Sequence, residues 1–416
     1  MKYLFPILLA SLLPNAMTQA QPDTAPGEAL YQQHCEQCHG GRVSKAPQLS
    51  LLQIMSAGSI YRAMDGGVMR EQASKLSTEQ KAQIAEYLTG QSLADAENVA
   101  LPPACTGNAA AFDFDQPPHM AGWSAQLDNR RHFDASKTAI NADNIGRLKL
   151  KWAFAYPEAV RARSQPALAG GALFVGSQNG TVFALDEATG CLRWTFSTVA
   201  EVRTGIVVAP WRAGKKGEPL LYFGDLVGNV YAVSAVSGKL VWRDRPDDHP
   251  SLTLTAAPAL HDNRLYVPMS ALEVTAAADP EYPCCTFRGG VAVYDALSGE
   301  KLWTAYTIDE PPREVGKNSV GTPRIAPSGA PVWNTPAIDP ARGVMYVGTG
   351  TNYSSPANDT SDAVLALSMA DGRIVWSRQT TSGDAWNMGC ETEEKINCPP
   401  ENGPDYDFGA AVIIDR

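Results

Sequence analysis

A repeated strand–turn–strand pattern is the feature of this sequence that most limits the folds open to it. Each copy has a β-branched or aromatic strand, a turn that ends in glycine, and a second strand that reaches a tryptophan four residues later. The four copies are residues 180–194, 228–242, 289–303 and 362–376. Their tryptophans lie roughly 40 to 75 residues apart, which suits one four-stranded unit per repeat. The pattern predicts a β-propeller rather than a sandwich, with the tryptophans packed between blades.

The repeat also indicates that the propeller is incomplete. Trp152 ends a similar segment, residues 148–154, which we predict to be a strand without the preceding turn. A fifth unit begins with a predicted strand at residues 405–414. A propeller has to close on itself, because an open arc leaves a hydrophobic blade face uncovered. We therefore expect a truncated chain, with residues 131–416 forming part of a larger all-β propeller.

The first twenty residues are typical of a signal peptide. Lys2 gives a positive start, an apolar run follows at residues 3–13, and Thr18 and Ala20 are the small residues of a cleavage site. No later segment has about 18 uninterrupted apolar residues, so we expect no membrane anchor. The net charge of -10 argues against nucleic acid as a partner. These features predict export to the periplasm after removal of residues 1–20.

A haem-attachment motif, Cys35-Glu-Gln-Cys38-His39, follows the signal peptide. Two thiols at this spacing can form thioether bonds to the haem vinyl groups, and the adjacent histidine can bind the iron. A zinc site would need a second pair of ligands nearby, and a thioredoxin-like redox pair would need a βαβ unit. The sequence offers neither, and it predicts haem c in a small all-α cytochrome c domain at residues 21–92.

Met69 is the predicted second axial ligand of this haem. It follows a glycine turn and precedes a helix that we predict from Thr78 to about Leu88, with Ser77 and Gln80 as a capping box. Met55 and Met64 are alternatives, but they fit better as residues of the preceding helix. A methionine ligand would favour electron transfer over oxygen chemistry. Residues 93–130 are rich in Ala, Pro and Asp and are predicted to be a linker or a packed-down connection.

Eight cysteines in an exported chain are expected to form disulfides. Cys284 and Cys285 are adjacent and can close an eight-membered ring. The remaining cysteines outside the haem motif are Cys105, Cys191, Cys390 and Cys398. The last two flank a polar loop, which leaves the first two to pair with each other, although sequence alone does not fix the connectivity.

The sequence from the haem motif onward resembles the quinoprotein alcohol dehydrogenases, and most closely their cytochrome-linked polyvinyl alcohol dehydrogenases. The resemblance lies in the repeat itself and in three short motifs, which are Cys284-Cys-Thr-Phe-Arg-Gly289, Gly348-Thr-Gly350 and Asp407-Phe-Gly409. It implies an eight-bladed propeller with pyrroloquinoline quinone and a calcium ion near the axis. It also implies oxidation of secondary alcohols, with a vinyl alcohol polymer as one candidate substrate. Electrons would pass through the fused haem to a soluble cytochrome c or a terminal oxidase.

The same resemblance implies roles for individual residues. Trp333 would stack on the quinone, and Glu273 and Asn352 would bind calcium, although Thr351 separates Asn352 from the glycine turn that it follows directly in the family. The other predicted quinone contacts are Arg163, Arg203, Thr255, Cys284 and Cys285. The family usually carries its paired cysteines one blade earlier, which puts stacking of this pair on the quinone in doubt.

A carboxylate is needed as the general base for alcohol oxidation. The resemblance implies Asp407 as the first choice and Asp384 as the second. The alternative to an enzyme is a binding or scaffold propeller that holds no quinone and carries the cytochrome only as an electron carrier. A scaffold would need neither the carboxylates nor Trp333.

Overall fold

The computed structural model describes residues 25–94 except 42, 44 and 45, residues 100–211 except 160, and residues 218–415. The predicted signal peptide lies outside these described residues. Within them, no helix is both long enough and apolar enough to cross a bilayer.

The N-terminal unit is built from short helices. They are α1 (Ala25–His34), α2 (Glu36–His39), α3 (Leu49–Leu52), α4 (Ala57–Asp65) and α5 (Thr78–Thr89). The predicted capping box at Ser77 and Gln80 is present, and Gly90 ends α5 in the left-handed conformation. Leu51, Ile60 and Ile84 are among the apolar residues that these helices bury against one another. The prediction of a small all-α domain is confirmed.

Four antiparallel sheets of four or five strands follow the helices. The first contains β1 (Ala167–Ala169), β2 (Ala172–Gly176), β3 (Thr181–Asp186) and β4 (Leu192–Ser197), and the second β5 (Val207–Val208), β6 (Leu220–Gly224), β7 (Val230–Ser234) and β8 (Leu240–Asp244). The third contains β9 (Leu252–Thr253), β10 (Ala259–His261), β11 (Arg264–Ala271), β12 (Gly290–Asp295) and β13 (Lys301–Tyr306), with α6 (Glu273–Ala276) after β11. A hairpin of β14 (Arg313–Lys317) and β15 (Pro323–Ala326) precedes the fourth sheet, which has β16 (Ala337–Asp339), β17 (Val344–Gly348), β18 (Ala363–Ser368) and β19 (Ile374–Gln379). The strands of the four sheets lie in chain order, except that β9 of the third sheet pairs with β11.

The four repeated tryptophans occupy equivalent places in these sheets. In each sheet the register shifts by one residue beside the tryptophan, as between Ala184 and Leu185 opposite Trp194. The same irregularity recurs in the other three sheets. A bulge of this kind increases local twist and re-aims a side chain, so that the tryptophan leaves its own sheet for the next one.

Trp152 and the four repeated tryptophans belong to five successive units, one to each unit. Four of these five tryptophans pack on a glycine turn of the unit that follows. The glycines are Gly190, Gly238, Gly299 and Gly372, and a Cβ atom on any of them would lie 2.6 to 2.9 Å from the indole that covers it. The indole N–H groups of Trp152, Trp194 and Trp242 also donate to a backbone carbonyl of that turn. Trp376, in the fourth sheet, is 44% exposed. The predicted role of the tryptophans between blades is confirmed for the four that contact a glycine turn, but not for Trp376.

Two predicted strands are not formed. Residues 148–154 and 405–414 form no strand, although Trp152 still packs on Gly190. A strand requires a continuous ladder with a neighbouring segment. Residues 405–414 make only separate backbone hydrogen bonds with other parts of the chain, such as Phe408 N–H to Thr349 O and Ile414 N–H to Asp128 O.

The predicted disulfide pairs are all present, namely Cys105–Cys191, Cys284–Cys285 and Cys390–Cys398. The first of them ties the predicted linker to the first sheet. Backbone hydrogen bonds at Cys105 and His119 extend this attachment, because their N–H groups donate to Leu192 and Leu168 of that sheet. Residues 100–130 therefore pack along the propeller rather than forming a loose connection.

Candidate functional site

The haem-attachment motif lines an apolar cavity between the helices. Backbone hydrogen bonds from Cys38 and His39 to Cys35 O form a tight turn, which brings the two thiols and the imidazole to one side of the cavity. Both thiols are free, as thioether formation requires. The Nδ1 atom of His39 lies 2.7 Å from Pro47 O, so this contact orients the ring and leaves Nε2 as the iron-binding atom.

The cavity itself has the properties of a haem pocket. Its walls are mainly apolar, and the buried hydroxyl group of Tyr31 on its wall has no hydrogen-bond partner among the described residues. Met55, Met64 and Met69 all line it, so the structure does not choose between the three. Met69 as the second axial ligand stays a prediction. The arrangement of thiols, imidazole and thioethers fits haem c.

A second pocket, which we call the axial pocket, lies where the inner ends of the four sheets converge. Its volume is about 340 Å³, and it contains four of the predicted quinone contacts, Arg163, Arg203, Thr255 and Trp333. Each of these four residues stands four positions before the innermost strand of its own sheet, before β1, β5, β10 and β16 respectively. Equivalent positions of a cyclic repeat face the same axis, which is why residues far apart in sequence meet there.

The axial pocket is positively charged. Burial lowers the pKa of Arg203, the neighbouring Arg163 lowers it further, and Glu201 acts in the opposite direction. Two guanidinium groups that repel each other in a half-buried pocket favour an anionic ligand, above all one with planar carboxylates. Trp123 and Trp333 add aromatic surface to the same pocket. A flat aromatic polycarboxylate such as pyrroloquinoline quinone fits this combination.

Asp407 lies next to the axial pocket. The backbone N–H of Thr351 donates to its Oδ1 atom at 2.7 Å. Burial raises the pKa of Asp407, and the nearby Asp384 adds to this, whereas the hydrogen bond from the Thr351 backbone N–H lowers it. Gly409, two residues on, packs so closely on Trp333 that a Cβ atom there would lie 2.6 Å from the indole. Gly409 and Ala411, which follow Asp407 in the chain, both line the axial pocket.

Asp384, the second choice as base, is fully buried beside Asp407. Its carboxylate accepts hydrogen bonds from Thr351 Oγ1 and from the backbone N–H groups of Asp405 and Tyr406. It therefore holds in place the loop that carries Asp407. Its contacts are those of a positioning residue.

Glu273, at the start of α6, lies outside the lining of the axial pocket. Its buried carboxylate accepts hydrogen bonds from the backbone N–H groups of Thr286 and Phe287, from Thr286 Oγ1 and from the Tyr282 hydroxyl. Burial alone would raise the pKa of Glu273, but His249 and the two backbone donors outweigh it and lower the pKa.

The predicted calcium ligands, Glu273 and Asn352, are both hydrogen-bonded within the protein. Both carboxylate oxygens of Glu273 already accept hydrogen bonds. The Asn352 amide is occupied as well, since Nδ2 donates to Ser328 O and Oδ1 accepts from Asn358 N–H. Among the described residues, no group of three or more His, Cys, Asp or Glu side chains is arranged to hold a metal ion. Binding of calcium by Glu273 and Asn352 stays a prediction.

The structure does not bring Cys284 and Cys285 to the axial pocket. The pair lies under Phe287 and Tyr353 in the core beside the Glu273 loop. Trp123, in contrast, lines the axial pocket although we placed it in the linker. Arg131 stacks on its ring at 4.5 Å. A tryptophan outside the repeat was the one sequence signal that could have drawn attention to it.

Comparison with known proteins gives the family of the chain. The family model described as the β-propeller domain of glucose, ethanol and alcohol dehydrogenases matches residues 123–395, and the chain belongs to that family. A second model, described as subunit III of cbb3-type cytochrome c oxidase, matches residues 22–88.

The relatives of the chain include two polyvinylalcohol dehydrogenases. The one from a Pseudomonas species is 31% identical over 99% of this chain and 66% of its own length, and the one from Sphingopyxis sp. strain 113P3 is 32% identical over 98% and 64%. The chain thus spans slightly less than two thirds of the length of these relatives. The crystal structure of quinohemoprotein alcohol dehydrogenase from Comamonas testosteroni has a similar fold, with a TM-score of 0.51 and 22% identity over 72% of this chain and 44% of that one.

Proposed function

We propose that this chain oxidises secondary alcohols in the axial pocket and passes the electrons to a haem in its helical unit. The observation that supports this most directly is the repeat position shared by four residues, which brings two arginines, a threonine and a tryptophan together in one pocket. The carboxylate of Asp407 lies beside them. The names of its relatives make the hydroxyl groups of polyvinyl alcohol one candidate substrate. The expected acceptor of the electrons is a soluble cytochrome c or a terminal oxidase.

The residues divide the chemistry between them. Pyrroloquinoline quinone, when bound, supplies a carbonyl carbon that accepts hydride, and haem c supplies one-electron transport. Arg163 and Arg203 provide charge-assisted hydrogen bonds to carboxylates, and Thr255 provides a hydroxyl group. Trp333 provides the face on which a planar ligand rests.

Asp407 is the proposed general base. Since the Thr351 N–H holds Oδ1, Oδ2 is the atom to which we assign the proton from the substrate hydroxyl group. The base has to be ionised, and burial raises the pKa of Asp407. The rate should therefore rise with pH through a pKa above the ordinary range of aspartate.

Periplasmic location belongs to the same proposal. It is supported by three disulfides in the described part of the chain and by the haem motif, both of which suit an oxidising compartment.

The test is the reduction of haem by alcohol in the loaded protein under anaerobic conditions. Asp407→Asn should slow the reaction by about 10²- to 10⁴-fold, the usual contribution of general base catalysis. Asp371→Asn, a change at an exposed turn, is the matched control and should leave the rate unchanged. A full rate in Asp407→Asn would rule out this residue as the base. A protein that carries haem but binds no quinone and is reduced by no alcohol would instead be the scaffold considered above.

A further inference from the structure

The propeller contributes to the wall of the haem cavity. Val199, which follows β4, and Val227, in the turn between β6 and β7, line the cavity together with helical residues. Ala200 and Leu226 beside them belong to the same apolar core as Leu51 and Ile84 of the helices. The cavity is thus shared between the two units.

The segment Val199–Arg203 leads from this cavity to the axial pocket. Val199 is at the cavity, and Arg203, four residues on, lines the pocket that holds Trp333. Between them, Ala200, Glu201 and Val202 are buried. The backbone is fixed on both sides, because Val202 N–H donates to Ser177 O and Glu201 O accepts from Leu226 N–H.

Arg161 and Glu201 attach this segment to the helical unit. The Nη2 atom of Arg161 donates to Ile54 O of the helical unit at 2.5 Å and to Glu201 Oε2 at 3.0 Å. The Glu201 side chain is only 2% exposed. One guanidinium group therefore joins the backbone near the haem cavity to a buried carboxylate in the middle of the segment.

We propose that Val199–Arg203 is the path by which electrons leave the axial pocket for the helical unit, and that Arg161 and Glu201 are the positioning residues that hold it there. This rests on the function proposed above. In each turnover the alcohol loses two electrons and two protons and becomes a carbonyl compound. Two molecules of a one-electron acceptor, such as an oxidised cytochrome or ferricyanide, are reduced in exchange. The electrons cross the segment one at a time.

The experiment measures the transfer itself, without the alcohol chemistry. In fully reduced protein loaded with haem and quinone, a ruthenium photo-oxidant removes one electron from the haem, and haem absorbance then follows its re-reduction. Arg161→Met should slow re-reduction by about tenfold or more, since small displacements of reacting groups have effects of this size. The midpoint potential of the haem should stay the same.

Arg62→Met is the matched control. Arg62 also crosses between the units, through its ion pair with Glu158 and a hydrogen bond to Asn179 O, but it is half exposed and makes these contacts with residues outside the segment. Its loss should change the rate by less than about twofold, because exposed ion pairs contribute little. Equal rates in wild type and Arg161→Met would overturn the proposed path.

A second substitution guards against failure of Arg161→Met to fold. Val227→Ala removes apolar side-chain atoms from the propeller side of the cavity. It should lower the haem midpoint potential, because greater solvent exposure of the haem changes the reduction potential of its iron. Val241→Ala, on the exposed outer strand β8, should leave the haem midpoint potential unchanged. No shift in Val227→Ala would contradict the shared cavity. No re-reduction in fully loaded wild type would refute the proposed function, and the path with it.

Discussion

Asp362 is a buried carboxyl group with very few polar contacts. Neither of its side-chain oxygens has a hydrogen-bond partner in the described part of the chain. Burial, followed by the nearby Asp384, Asp407 and Asp405, raises its pKa to about 8. The folded protein therefore holds a proton on Asp362 at neutral pH, whereas the unfolded chain releases it near pH 4.

This difference predicts a loss of stability with rising pH. Between about pH 4 and pH 8 the folded state binds more protons than the unfolded state, so the free energy of unfolding falls as pH rises and levels off above the folded pKa. Asp362→Asn cannot ionise, and it should flatten this slope and raise the melting temperature at pH 8. Melting curves of both proteins from pH 5 to pH 9 make the comparison. Parallel curves would show that Asp362 ionises normally.

Arg203 gives a second prediction for a single residue. Arg203→Gln removes one of the two charges in the axial pocket and should weaken quinone binding by about 10- to 100-fold, the worth of a hydrogen bond to a charged group. Arg243→Gln, on the exposed outer strand β8, is the control for loss of charge. Quenching of tryptophan fluorescence by added quinone measures both affinities. The same affinity in both variants would exclude Arg203 from the site.

Among the structural elements, the glycine turns that receive the tryptophans are the most constrained. Gly299 has a φ of 77° and lies under Trp242, where a Cβ atom would be 2.6 Å from the indole. Gly343 has a similar φ of 65°, but a Cβ atom there would meet nothing within 4 Å. Both positions require a left-handed backbone conformation, but only Gly299 also requires the absence of a side chain. Substitutions at the two glycines therefore measure these two effects separately.

Gly343→Ala should therefore destabilise the protein by about 1 kcal/mol, the cost of a left-handed conformation for a residue with a Cβ atom. Gly299→Ala should cost about 1 to 3 kcal/mol more, because the methyl group overpacks the contact with Trp242. Chemical denaturation of the two variants gives the difference. Equal losses would mean that the indole moves aside freely.

The same elements show how far the sequence was informative. The repeat predicted the sheets and the tryptophan contacts because each repeat carries its own strands, turn and aromatic residue. The axial pocket could be predicted only through the resemblance. Its residues share a position four residues before each inner strand, and that position can be recognised only after the structure shows where the strands begin. The donors around Glu273 could not be foreseen, since Thr286 and His249 reach it only through the fold. Residues 148–154 look like a strand by composition, but composition does not provide a neighbouring segment to pair with.

At the scale of the whole molecule, the helical unit and the propeller share one apolar core. Polar contacts surround it, including Ser59 Oγ to Asn179 O and Ser251 Oγ to Gln48 Oε1. Damage to the propeller side of this interface should therefore destabilise the helical unit as well.

Leu226→Ala tests that coupling. Leu226 is 1% exposed in the shared core, and its truncation should cost about 2 to 5 kcal/mol. The haem signal in circular dichroism should then be lost at a lower temperature, although the substitution lies in the propeller. Leu240→Ala, at a residue 48% exposed, should leave that temperature unchanged. A haem signal that melts identically in both would mean that the two units unfold independently.

The arrangement of the tryptophans also imposes an order on biosynthesis. Each indole is made before the turn that receives it, because the receiving glycine lies later in the chain, as with Trp152 and Gly190 or Trp303 and Gly372. At ordinary rates of synthesis, roughly 40 to 70 further residues take several seconds to appear. During that interval the newest blade carries an uncovered indole, which makes it a natural target for chaperones until the next blade arrives.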